Sequence, residues 1–164
     1  MRKYEINRLL NGVEESNKAT DKLLVDFEVK CEKNAKIVLE RCKEVLKIVL
    51  GKSEAEWPSI SEWRHLLPQW FIERCAREIS MEEAERRLTL TIEERKEITR
   101  VEGWRLSAWI YWFNPEEKQW FWWDAKIHDE DTIKITVECL YWPFPWGTLE
   151  WLFISSGAES IVEL

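Results

Sequence analysis

Apolar positions recur at steps of three and four through the first part of the chain and change to every second residue near position 102. Leu24, Phe27, Cys31, Ala35, Val38, Cys42, Val45 and Val49 form one stripe at helical spacing. That spacing predicts a single long helix over residues 19–51, capped at its start by Asn17, Thr20 or Asp21 and stopped at Gly51. At ~1.5 Å per residue such a helix is about 45 Å long. It could cross the whole body or reach a second copy, so a homodimer contact along it is an expectation. Pro58 then breaks the pattern, and Ser59 or Ser61 begins a short helix. Pro68 starts another, whose Trp70, Phe71, Ala76 and Ile79 can face a core. Ser80 with Glu83 and Thr91 with Glu94 have the spacing at which hydroxyl and carboxylate cap the first turn reciprocally. They open two short, charged helices.

From residue 102 the period is two. The segments GWRLSAWIYWF, QWFWWDAKIH and TIKITVECLYW are rich in aromatic and β-branched residues, and NPEEK and DED separate them. They predict a three-stranded antiparallel meander. PFPWG ends the run, because proline cannot donate to a ladder. TLEWLFISSG predicts a last amphipathic helix between Thr148 and Gly157, and ESIVEL a short edge strand. The expected fold class is therefore α+β: an N-terminal helical layer packed on a small antiparallel β-meander with a late C-terminal helix. One domain is expected over 1–164, with a helical part (1–100) and a Trp-rich acidic sheet part (101–164).

Composition supports a folded chain. At 164 residues and 45% hydrophobic content it can bury a real core. No run approaches about 18 apolar residues, so no membrane contact is expected. The start, MRKYEINRLLNGVEESNK, lacks the apolar stretch of a secretory signal, which makes the cytoplasm the expected compartment. Cys31, Cys42, Cys75 and Cys139 show no CxxC spacing and read as small buried hydrophobes.

Charge changes the picture more. Residues 1–100 carry 20 basic and 20 acidic side chains, whereas 101–164 carry 4 and 11, so the whole net charge of −7 lies in the sheet part. Nine of the twelve tryptophans lie there too. A field of that sign repels phosphates and attracts basic partners, so no nucleic-acid binding is expected.

Alternation divides the aromatic residues by face. Phe121, Trp123, Ala125 and Ile127 share one face; Trp120, Trp122, Asp124, Lys126 and His128 share the other. In the first predicted strand, Trp104, Leu106, Ala108, Ile110 and Trp112 form an apolar set, and Arg105, Ser107, Trp109, Tyr111 and Phe113 a mixed one. Cross-strand neighbours share a face, so the apolar sets line the core. The mixed sets gather Trp109, Tyr111, Phe113, Trp120 and Trp122 on a second surface. Either the helical half covers that surface, or it is an exposed patch. In the second case Glu116, Glu117, Asp124, Asp129, Glu130 and Asp131 supply an acidic rim, and the whole set is a candidate partner-binding surface.

Candidate catalytic chemistry is sparse. The segment GKS at 51–53 resembles the end of a phosphate-binding loop, but Leu46 stands where that loop needs glycine. HDED at 128–131 offers metal ligands without a second histidine, and reads as a hairpin turn. His65 lies within a helix, and Ser155 and Ser156 have no histidine to activate them. No cofactor, metal or enzymatic activity is expected. The leading expectation is a small cytosolic protein-binding module of the immunity or antitoxin type. It would neutralise a basic toxin, such as a nuclease, by occlusion. A Trp-lined module for an apolar or carbohydrate ligand is the first alternative, and a pocket between sheet and helices would mark it. An enzyme with scattered catalytic residues is the second, and a convergent His–Asp–Glu cluster would mark it.

Overall fold

The long helical stripe divides in two. In the computed structural model, which describes residues 2–13 and 22–164, Leu23–Lys30 is strand β1 and helix α2 spans Ala35–Leu50. The segment LLVDFEVK satisfies both periods, since Val25, Phe27 and Val29 also alternate with Asp26 and Glu28. Pairing decides between them. β1 lies between two antiparallel neighbours, matching Leu23 to Cys139 through Lys30 to Thr132 on one side and Phe27 to Glu163 through Lys30 to Ser160 on the other. Lys33, at φ 58°, breaks any helical continuation before Ala35. The 45 Å helix is thus corrected to one of 16 residues, about 24 Å long, and the homodimer contact that depended on its length loses its basis. The caps expected at Asn17, Thr20 and Asp21 lie outside the described residues.

The first predicted strand of the meander is also corrected. Residues 102–113 run from the end of helix α6 (Ile92–Glu102) into helix α7 (Leu106–Tyr111). Leu106, Trp109, Ile110 and Phe113 are buried at steps of three and four. From Leu106 to Phe113 every residue except Ser107 is apolar or aromatic, which fits either period, and here the helical one is buried.

The α+β class holds. One antiparallel sheet has the order β2-β3-β1-β4. β2 (Trp120–Asp129) and β3 (Thr132–Cys139) form the expected hairpin, and β4 (Ser160–Glu163) is the expected edge strand. Helices α2 and α8 (Gly147–Ser155) pack on one sheet face. Phe27, Val29, Ile133, Ile135 and Val137 meet Cys42, Val45, Leu152 and Phe153 in a single core. α3 (Ile60–Leu66) and α4 (Gln69–Arg74) add an outer layer, with Trp63 and Phe71 buried and Arg74 donating to the Ser155 carbonyl. Ser59, Ser80 and Thr91 cap α3, α5 (Met81–Leu88) and α6 through hydrogen bonds from Glu62, Glu83 and Glu94 N–H. Helix α1 (Arg2–Asn11) closes the β2 edge. Its Glu5 accepts from the Trp122 N–H and its Arg8 donates to the Trp122 carbonyl. Two side chains thereby take the place of a further strand.

All four cysteines are free. Burial drives the Cys42 thiol far above its ordinary value of 9.0 and pushes Cys75 up to about 11. An unfolded thiol ionises near 9.0 while folded Cys75 keeps its proton to about 11, so the folded state binds more protons in that window. The contribution is complete below the unfolded value and is lost as pH rises through the folded one. Urea midpoints should therefore fall between pH of about 8.5 and 10.5. The fall should be shallower in Cys42→Ala and Cys75→Ala. Identical slopes in the variants would remove Cys42 and Cys75 as its cause.

Candidate binding groove

Of the two readings left open for the aromatic set, the exposed patch is not what the structure has: Trp109, Phe113, Trp120 and Trp122 are covered. Trp120 pairs with Cys139 and Trp122 with Val137; a register shift at Trp123 then places Asp124 opposite Thr136 and Ala125 opposite Ile135. One extra residue in a strand reverses which side chains face inward. Trp120 and Trp122 consequently join Ala125 on the core face. Trp122 is 0% exposed and stacks on Phe153 with ring centroids 6.3 Å apart. Trp109 donates to the Thr148 carbonyl and Trp120 to the Thr148 hydroxyl, each at 3.0 Å. Phe113 sits between their rings, at 4.4 and 5.7 Å. Trp109, Phe113, Trp120 and Trp122 are core residues. Trp112, expected inside, is 37% exposed, as α7 turns it outward. Trp123 lies under the Arg8 guanidinium, 4.7 Å from its ring centroid. Of the expected anchors only Tyr111 stays exposed, its hydroxyl held above the usual range by the charge of Glu117.

The acidic rim divides as well. Glu116 and Glu117 precede β2, and Asp129, Glu130 and Asp131 stand at its far end, about 30 Å away along a strand of this length. Asp124 is half-buried between them. Glu116 pairs with Glu54, and that carboxyl–carboxyl hydrogen bond raises its pKa. Asp129 accepts from the Asp131 N–H at 2.8 Å, which lowers its pKa, and Asp131 accepts from the Lys33 N–H at 2.8 Å. HDED therefore ends β2 with His128 and Asp129 and turns the hairpin at Glu130 and Asp131. Among the described residues, no three His, Cys, Asp or Glu side chains gather in a geometry to hold a metal.

A different site lies between α6, α8 and β4. A groove of about 920 Å³ has Trp104, Trp151, Ile154 and Ile161 along its floor. Arg95, Lys96 and Arg100 line the α6 side, and Glu150 and Glu159 the opposite side. Two glycines let the indoles lie there. A Cβ on Gly103 would stand 2.5 Å from Trp151 Cη2, and one on Gly147 3.0 Å from Trp104 Cζ2. Gly103 also ends α6 at φ 84°, in a region nearly closed to other residues. No residue of α5 or α6 is buried. A second cavity of about 340 Å³ lies on the other side of α6, against Ala84, Ile98 and Ala108. Helix α6 is thus a wall with space on both sides.

Charge in the groove is segregated. Arg100 forms a fork with Glu97 at 2.5 and 2.9 Å, whereas Arg95 and Lys96 have no carboxylate partner among the described residues. Burial raises the Glu150 carboxyl, and a hydrogen bond from Glu32 raises Glu159. In the sequence, α6 reads as a solvated face and Trp104 as core. Only the adjacent Gly103–Trp104 and Trp146–Gly147 pairs hint that indoles and bare backbone meet here. Comparisons with protein-family models, curated proteins and solved structures find no match to this chain.

Proposed function

We propose that this protein is a binding module that captures, without chemistry, a ligand bearing an apolar or planar group in the α6–α8–β4 groove. The observation that carries this reading is the pair of indoles, Trp104 and Trp151, set on glycines in the floor of an open groove with a cationic wall. Capture rather than catalysis is supported by how the candidate nucleophiles are held. Ser155 and Ser156 donate to the Leu152 carbonyl at 3.1 and 2.7 Å, and burial raises the thiols away from reactivity. His65 and His128 lie exposed on α3 and β2. Among the described residues, no helix is long and apolar enough to cross a membrane. Four free thiols fit a reducing compartment, and the cytosol is the location proposed.

The test is titration of indole-3-acetate and of cellobiose into ¹⁵N-labelled protein. Saturable shifts should centre on the amides of Gly103, Gly147 and Ile161, and weaken in a folded Trp104→Ala variant. If neither probe moves those amides, the groove is not a ligand site.

A second reading, occlusion of a basic protein such as a toxin, is favoured by a separate observation. Glu32, Asp131 and Glu159 crowd one end of the sheet, where Glu32 and then Asp131 raise the Glu159 carboxyl. A basic partner would relieve that repulsion. Its association with the protein should slow as salt rises and slow further with Glu32→Lys. Association independent of salt would end this reading.

A further inference from the structure

We infer that the groove receives an extended peptide as a fifth strand on β4, with one acidic side chain of that peptide reaching α6. This inference rests on the groove being the ligand site. Three independent features support it.

The first is the sheet edge. β4 is terminal, and among the described residues β1 is its only strand partner. Leu164 N–H donates to the Asp26 carbonyl at 2.9 Å. Alternation along the ladder then turns Val162 and Ser160 toward β1, and the N–H and C=O of Ile161 and Glu163 away from it. The two edges differ in their cover. At β2, Glu5 and Arg8 of α1 satisfy the outward groups of Trp122. At β4 no backbone or side-chain group among the described residues does so for Ile161 or Glu163. An unpaired edge is a template for another strand.

The second feature is the position of that edge. Ser160 and Ile161 themselves line the groove, with α8 as floor and α6 as far wall. A strand added about 4.8 Å from β4 would lie within the groove. Its side chains alternate, so every second one meets Trp104, Trp151 and Ile154. The third feature is charge. Arg95 and Lys96 face the groove without a carboxylate partner among the described residues, while Glu150 and Glu159 stand opposite. A carboxylate is matched on the α6 side alone, which sets the direction and register of the guest.

The probe is a fluorescein-labelled, N-acetylated octapeptide alternating Val or Trp with Thr and carrying one central Glu. Fluorescence polarisation should saturate. The Glu→Lys peptide should bind at least 10-fold more weakly. In the full-length R95E/K96E variant that preference should invert, an outcome that mere unfolding cannot produce. Of two analogues N-methylated at alternate amides, one should lose binding at least 10-fold and the other should not, because only one set of amides faces β4. Equal binding by both analogues overturns strand addition. Groove shifts with indole-3-acetate but no peptide binding would overturn this inference and leave the groove reading standing. Neither probe binding would remove both.

Discussion

Trp122→Ala lowers stability by about 3–5 kcal/mol, and Trp123→Ala by only about 1–2 kcal/mol. The two residues are adjacent and chemically identical, so the difference isolates the β-bulge. Trp122 is fully buried against Phe153 opposite Val137. Its truncation leaves a cavity that sheet and helix together cannot fill. Trp123 is outside the main cluster and covers Arg8, so its loss removes a cation–π contact and the shelter of one edge. Guanidinium denaturation of the two variants reads the difference directly. Equal losses, or a larger loss at Trp123, would overturn Trp122 as the more tightly packed of the two buried indoles.

Removing either partner of the Glu5–Lys118 pair should also cost about 3–5 kcal/mol, the range for breaking a buried ion pair. The side chains are 1% and 5% exposed, and Lys118 Nζ lies 2.5 Å from both carboxylate oxygens. Phe121 and Trp120 cover the ammonium at 4.4 and 5.7 Å. The carboxylate also accepts from the Trp122 N–H at 2.9 Å, so its loss uncovers the β2 edge as well. In Glu5→Gln/Lys118→Met no charge is stranded and the amide oxygen can still accept from Trp122. The double variant should therefore lose much less than the two single losses combined. Limited proteolysis should release α1 first in the single variants. Small, additive losses below about 1 kcal/mol would place the pair with ordinary surface ion pairs.

What could be read in the sequence was local. Ser59, Ser80 and Thr91 cap helices because their hydroxyls reach an N–H three residues on, whatever the rest of the chain does. The β2–β3 hairpin, α8 and β4 follow from turn residues beside short periodic runs. The amino-acid sequence by itself determined these elements, the α+β class and the gathering of acid and tryptophan in the last third. Tertiary structure decided the rest, because the local signal there supports two answers. Residues 23–30 fit a helix or a strand, and only β3 on one side and β4 on the other select the strand. Residues 106–111 fit both again, and burial of Trp109 against Phe71 and Thr148 selects the helix. The bulge at Trp123 is one residue long and has no composition of its own, yet it moves two tryptophans from the expected surface into the core. The groove comes from three elements separated by more than forty residues, α6 at one end and α8 with β4 at the other. Its floor depends on two glycines meeting two indoles, a contact between chain-distant atoms that no period along the chain encodes.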